Sequence, residues 1–174
     1  RAMRRSTTNF RPGHPCHITH KALDGIALFT NTAERQFYLD LLRKKARMFG
    51  VKILSWCLMT THTHLVVVAP SLKALSRMIA GVDGPYAKHV NRRMSRTGPV
   101  FAGRYHSSHI PDEGYLFAVL RYVDQNPQRA SMVKLPWEYP WSSGLVAGWW
   151  DVPVPTYLEE RREAYERAKA EERI

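Results

Sequence analysis

The sequence predicts an α+β domain in which short strands alternate with amphipathic helices in the opening order β-α-β-β, and three observations carry that prediction. Residues 65–69 are an apolar, β-branched run closed by Pro70, too short for a helix and typical of a buried strand. Residues 33–49 and 71–93 instead repeat apolar side chains at helical spacing behind Asn31 or Thr32 and Ser71, which are good N-caps. With 174 residues, 44% of them apolar, the chain is long enough for one real core.

The elements follow in order. Arg1, Arg4, Arg5 and Arg11 stand without an acid among Pro12, Gly13 and Pro15, so residues 1–15 read as a flexible basic arm. A first strand spans about residues 16–22. There His17 and His20 fall on opposite faces, so Cys16, His17 and His20 read as packing rather than as a ligand set. Residues 23–32 form a loop with Asp24-Gly25 as its turn. In the helix over 33–49 the expected inward stripe is Phe37, Leu41, Leu42 and Met48, with Arg43, Lys44, Lys45 and Arg47 around it and Gly50 as the stop.

A second strand covers residues 51–59, and Thr60-Thr61 join it to a third that begins at His62-Thr63-His64. Ser71 caps a helix reaching about Arg93, with Leu72, Leu75, Met78, Ile79 and Val82 apolar, and with Gly81, Gly84 and Pro85 expected to break or kink it. Pro111 and Asp112 open another helix with the stripe Leu116, Val119, Leu120 and Val123, which Asn126-Pro127 is expected to end. Residues 136–141 and Trp149-Trp150 read as an irregular closing segment, and residues 157–173 as a charged helix. The organisation is a basic arm at 1–15, a body at 16–150 and a helical extension at 151–174.

A formal charge of +11 and a pI near 10 favour a polyanionic partner, with nucleic acid ahead of an anionic membrane because no basic amphipathic helix stands out. Residues 156–174 carry five basic and six acidic side chains, so residues 1–155 hold +12. No run is long enough to span a membrane and no apolar leader opens the sequence, which gives a cytoplasmic expectation. Cys16 and Cys57 are too few for a zinc quartet and are expected to be reduced thiols.

The chemistry concentrates in three places. On a strand, His62 and His64 leave the same face, two imidazoles able to share a metal ion. Between Gly84 and Tyr105, five basic residues, Lys88, Arg92, Arg93, Arg96 and Arg104, interleave with Tyr86, His89, Phe101 and Tyr105, with no acid in that stretch. Cations that neutralise phosphates beside aromatics that stack bases suit single strands or hairpin ends. Tyr122 and Asn126, four apart at a helix end, project side by side.

Together, the His62-Thr63-His64 strand, the stretch ending Gly103-Arg104-Tyr105, and Arg121-Tyr122 followed by Asn126-Pro127-Gln128-Arg129-Ala130 resemble the REP-associated tyrosine transposases, single-tyrosine HUH transposases that cut or move single-stranded DNA. Asn91-Arg92-Arg93, the residues 97–105 and Tyr139-Pro140-Trp141-Ser142-Ser143 extend the match, which covers roughly residues 11–148.

The resemblance implies a ferredoxin-like or RRM-like β-α-β-β-α-β antiparallel sheet with helices on one face, plus an extra C-terminal helix, and makes residues 16–150 an HUH transposase-like catalytic domain. It implies Tyr122 as nucleophile, leaving a 5′-phosphotyrosine, and His62, His64 and Asn126 as ligands of a divalent ion, Mg or Mn. Arg11, Lys88, Arg92, Arg93, Arg96, Arg104, Tyr105 and Arg129 are the candidate DNA contacts. The implied activity is metal-dependent cleavage and strand transfer of single-stranded DNA at or near palindromic hairpins, by a monomer or a homodimer. A non-cleaving hairpin-binding protein of the same fold is the alternative, and a metallohydrolase lacks a carboxylate base in the motif. Thr60-Thr61 stand where the family commonly has Pro-Asn, and Asp124 is a rival third ligand that does not share a helix face with Tyr122.

Overall fold

The computed structural model describes residues 10–143 together with Arg167. Residues 1–9 of the expected 1–15 arm, Trp149-Trp150 and nearly all of the expected C-terminal helix lie outside the described residues. The described elements run β1 (Pro15–Lys21), α1 (Thr32–Phe49), β2 (Lys52–Leu58), β3 (His62–Val68), α2 (Leu72–Arg93), β4 (His106–His109), α3 (Glu113–Arg129) and a 3-10 turn (Pro136–Glu138). The first six follow the order β-α-β-β-α-β, and the sheet is antiparallel with strand order β2-β3-β1-β4.

Strand alternation gives the sheet two working faces. Ile18, Trp56, Leu58, Leu65 and Val67 join Leu42, Leu75, Met78 and Val82 in one core beneath α1 and α2. Cys57 and Val66 point the other way and pack with Val119, Leu120 and Val123 of α3. Helices on one face therefore describes α1 and α2, whereas α3 covers the opposite face. The reason is apolar area: Cys57, Met59, Val66 and Ile110 are buried there and need the α3 stripe as a lid.

Local signals set the helix ends. Asn31, Ser71 and Asp112 each accept a backbone N–H of the first turn, from Glu34, Ala74 and Tyr115. Gly50 ends α1 with a left-handed φ of 64°, a conformation cheap only for glycine or a short polar residue. The expected interruptions do not occur. Helix α2 runs unbroken through Pro85, and Gly81 lies against the aliphatic chain of Lys45, letting α1 and α2 approach. Helix α3 passes through Pro127 to Arg129, with the Ala130 N–H reaching the Asn126 carbonyl, so the proline removes one donor without stopping the last turn.

The stripe of α1 is also rotated from the expected one. Tyr38, Leu39, Leu42, Ala46 and Glu34 are buried, while Phe37 and Met48 are exposed. At the far edge, residues 139–143 seal β2: the Leu58 N–H donates to the Trp141 carbonyl, the Tyr139 hydroxyl to the Leu58 carbonyl, and the Trp56 N–H to Ser143 Oγ.

Candidate active site

The sheet face under α3 carries His62 and His64 at the start of β3, with ring centroids 4.9 Å apart. Their common orientation follows from strand alternation, as the His-x-His spacing predicts. Thr61 Oγ1 lies 3.2 Å from His62 Nδ1, within reach to orient the first histidine. His64 Nδ1 lies 3.0 Å from His17 Nε2 and 3.4 Å from Thr19 Oγ1, both on β1. His64 Nε2 is buried with no hydrogen-bond partner among the described residues.

Both histidines of the pair are held neutral. Burial, then the neighbouring His17, His62 and Lys21, lowers His64 to about 3. Burial and Lys21 lower His62 in the same direction. His17 is lowered to about 4 by burial and His106. Neutral imidazoles with a spare nitrogen are the form that ligates a cation.

Tyr122 comes from α3 onto this cluster. Its ring sits edge-on to His64 at 5.8 Å and to His17 at 5.9 Å, while the Arg129 guanidinium lies 5.2 Å from its centre. Asn126, one turn on, donates Nδ2 to the Tyr122 carbonyl at 2.8 Å, leaving Oδ1 as the atom chemically suited to a metal. Asp124, the rival ligand, is buried on the core side of α3, where its charge adds to burial in raising the Cys57 thiol. Among the described residues no three His, Cys, Asp or Glu side chains converge as a metal cluster.

The family model described as "Transposase IS200 like" matches residues 17–126, more than half of the sequence and nearly the whole described sheet with α3. The chain belongs to the IS200-like transposase family. Among solved structures, that of a REP-associated tyrosine transposase bound to a REP hairpin superposes with a TM-score of 0.61 at 16% identity, over 84% of this chain and 90% of that one. A candidate transposase from Deinococcus radiodurans R1 gives 0.46 at 13% identity, over 68% and 93%. The first of these agrees with the fold described above. No curated protein matches the sequence.

In this IS200-like transposase the basic side chains singled out in the sequence divide into two groups. Arg11, Lys88, Arg92, Arg104 and Arg129 are exposed. Arg93 is instead committed to the buried carboxylate of Glu34 at 2.6 Å and to the Ala27 carbonyl. Arg96 binds Asn91 Oδ1 and the Pro99 carbonyl, shaping the loop after α2. Tyr105 is half-buried, its hydroxyl 3.0 Å from Ser76 Oγ. Two residues of the site were not legible as such in the sequence: His17, and Lys21, which pairs across the strands with His62 and whose charge reaches both histidines. Only the β1–β3 register reveals them. No described helix is long and apolar enough to cross a membrane.

Proposed function

We propose that this transposase cleaves and rejoins single-stranded DNA at or near palindromic hairpins, with Tyr122 as nucleophile. The observation that carries the reading is the meeting of the Tyr122 ring with His64 and His17 on one sheet face. In the step, Tyr122 Oη forms a bond to phosphorus, the bond from phosphorus to O3′ breaks, and the phenolic proton ends on O3′. The product is a 5′-phosphotyrosine and a free 3′-hydroxyl, and attack by another 3′-hydroxyl reverses the step and joins strands.

His62, His64 and Asn126 are the residues that would hold a divalent ion, Mg or Mn. His64 Nε2, buried and without a partner among the described residues, and the engagement of His62 Nδ1 by Thr61 fit that role, each leaving a nitrogen for a ligand bond. A bound ion supplies Lewis acidity at a phosphate oxygen. Arg129 holds the tyrosine ring and brings positive charge to the attacked phosphate. Lys21, Lys88, Arg92 and Arg104 serve the DNA backbone, and the hairpin bound by the structurally similar REP-associated transposase supports a hairpin substrate here.

The test is a cleavage assay on labelled single-stranded hairpins with Mg²⁺ or Mn²⁺, comparing wild type, Tyr122→Phe and His64→Ala on denaturing gels. A covalent adduct in wild type, lost in both variants, is expected. Tight hairpin binding by wild type with no adduct across a varied hairpin set would overturn cleavage in favour of a non-cleaving binder.

A further inference from the structure

On the proposed reading of His64 as a metal ligand, we infer that His17 is a positioning residue that fixes the tautomer of His64, accepting the proton of His64 Nδ1 on its own Nε2. The two nitrogens are 3.0 Å apart and the rings nearly parallel, 13° between planes, so one nitrogen donates and the other accepts. The two assignments have opposite consequences. Donation from His17 would leave the proton of neutral His64 on Nε2, the buried nitrogen with no partner among the described residues, where it could neither hydrogen-bond nor ligate. Donation from His64 places the proton on Nδ1, shared between His17 Nε2 and the more distant Thr19 Oγ1, and leaves a lone pair on Nε2.

The second assignment removes a buried unsatisfied donor and creates a ligand atom, so one change answers both problems. It is also the arrangement that Thr61 Oγ1 offers His62 Nδ1, so each member of the pair is held through Nδ1. With its Nε2 engaged by His64 Nδ1, His17 acts through that histidine. The strand register makes the contact possible: Thr19 stands opposite His64, and His17, two residues along on the same face, reaches it diagonally.

The experiment has two readouts besides activity. In metal-free wild type, ¹⁵N–¹H long-range correlations of the histidine rings are expected to show His64 protonated on Nδ1; protonation on Nε2 overturns the inference. Mn²⁺ titrations followed by electron paramagnetic resonance are expected to give His17→Ala an affinity about 10- to 100-fold weaker than wild type, with His17→Gln, whose carbonyl oxygen can accept, recovering most of the loss. Wild-type affinity in His17→Ala overturns the inference while leaving the metal reading intact. Failure of wild type to bind Mn²⁺ overturns the metal reading and this inference with it. The ring correlations are made on wild type and do not depend on either variant folding.

Discussion

Arg129 and Tyr122, two turns apart on α3, meet with the guanidinium 5.2 Å from the centre of the phenol ring. The contact exists because α3 continues through Pro127, carrying Arg129 onto the same helical face as Tyr122. A guanidinium there stabilises the ring position by about 0.5–1 kcal/mol at an exposed site and, with Tyr122 as the proposed nucleophile, adds positive charge beside the attacking group. Arg129→Ala is expected to slow covalent adduct formation about tenfold, or ~1.4 kcal/mol. Arg129→Lys should fall between, since it keeps the charge and loses the planar stack. Single-turnover adduct kinetics decide the point, and unchanged kinetics in Arg129→Ala would remove Arg129 from the site. Thermal melts of both variants should match wild type, because the residue is exposed.

Glu34 is a buried carboxylate tied to Arg93 at 2.6 Å, to the Thr30 N–H at 2.7 Å and to His89 at 3.1 Å. Burial alone would raise its pKa, but the Thr30 backbone, Arg93, the Thr30 hydroxyl and His89 together lower it to about 2. A folded-state value below the unfolded one means that the carboxylate stabilises the fold above about pH 4.5 and that this stability is lost as pH falls toward about 2. Arg93→Ala leaves the carboxylate buried without its cation and should cost about 3 kcal/mol at pH 7, with a smaller penalty near pH 3. Urea unfolding at the two pH values measures the difference; an equal cost at both would show that Glu34 is not the partner that matters.

Much of this was legible from residues alone because it is local chemistry. The N-caps at Asn31 and Ser71, the Gly50 stop and the shared face of His62 and His64 each depend on neighbours within four residues. What was not legible depends on partners far along the chain. Helix α1 has apolar residues on several faces, and the face turned inward is the one that buries Tyr38, Leu39 and Leu42 and also brings Glu34 to Arg93, 59 residues away, while Phe37 and Met48 stay exposed. Pro85 and Pro127 look like breakers, yet each removes only one N–H from helices held by tertiary packing. Alternation correctly separates His17 from His20, but which of them meets His64 follows from the β1–β3 register, which no pattern in either strand announces.

His20, on the other face of β1, ties that strand to the loop preceding β4. Its Nδ1 lies 2.7 Å from Asp83 and its Nε2 3.0 Å from the Gly103 carbonyl, while Phe101 stacks on the ring at 4.3 Å. Donating at both nitrogens requires the imidazolium. Burial opposes that charge, but Asp83 and the Gly103 carbonyl outweigh it and raise the pKa above 6.5. The stabilisation is therefore complete below about pH 6.5 and is lost as pH rises through the raised folded value. In Asp83→Asn, burial is no longer balanced by a carboxylate, and the His20 titration followed by its ring NMR signals should fall below 6.5. A midpoint unmoved by that change would show that Asp83 does not hold the proton.

The histidines of the candidate site should behave in the opposite sense. His64 and His17 are lowered to about 3 and about 4, so the unfolded chain takes up protons at these positions before the folded one does. Folding stability without metal should therefore decline as pH falls from about 6.5 through those values. Metal affinity carries a separate signature, because protons compete with a cation only where the ligand nitrogen titrates. Because both ligand histidines are lowered, Mn²⁺ affinity is expected to begin its fall at a lower pH than the onset near about pH 6.5 that exposed histidines would show. Lys21 contributes to the lowering of both His62 and His64, so Lys21→Glu should move the fall to higher pH and strengthen binding at neutral pH. Calorimetric titrations across the range measure both; a decline beginning near pH 6.5 in wild type would mean that the pair is not held neutral by its burial.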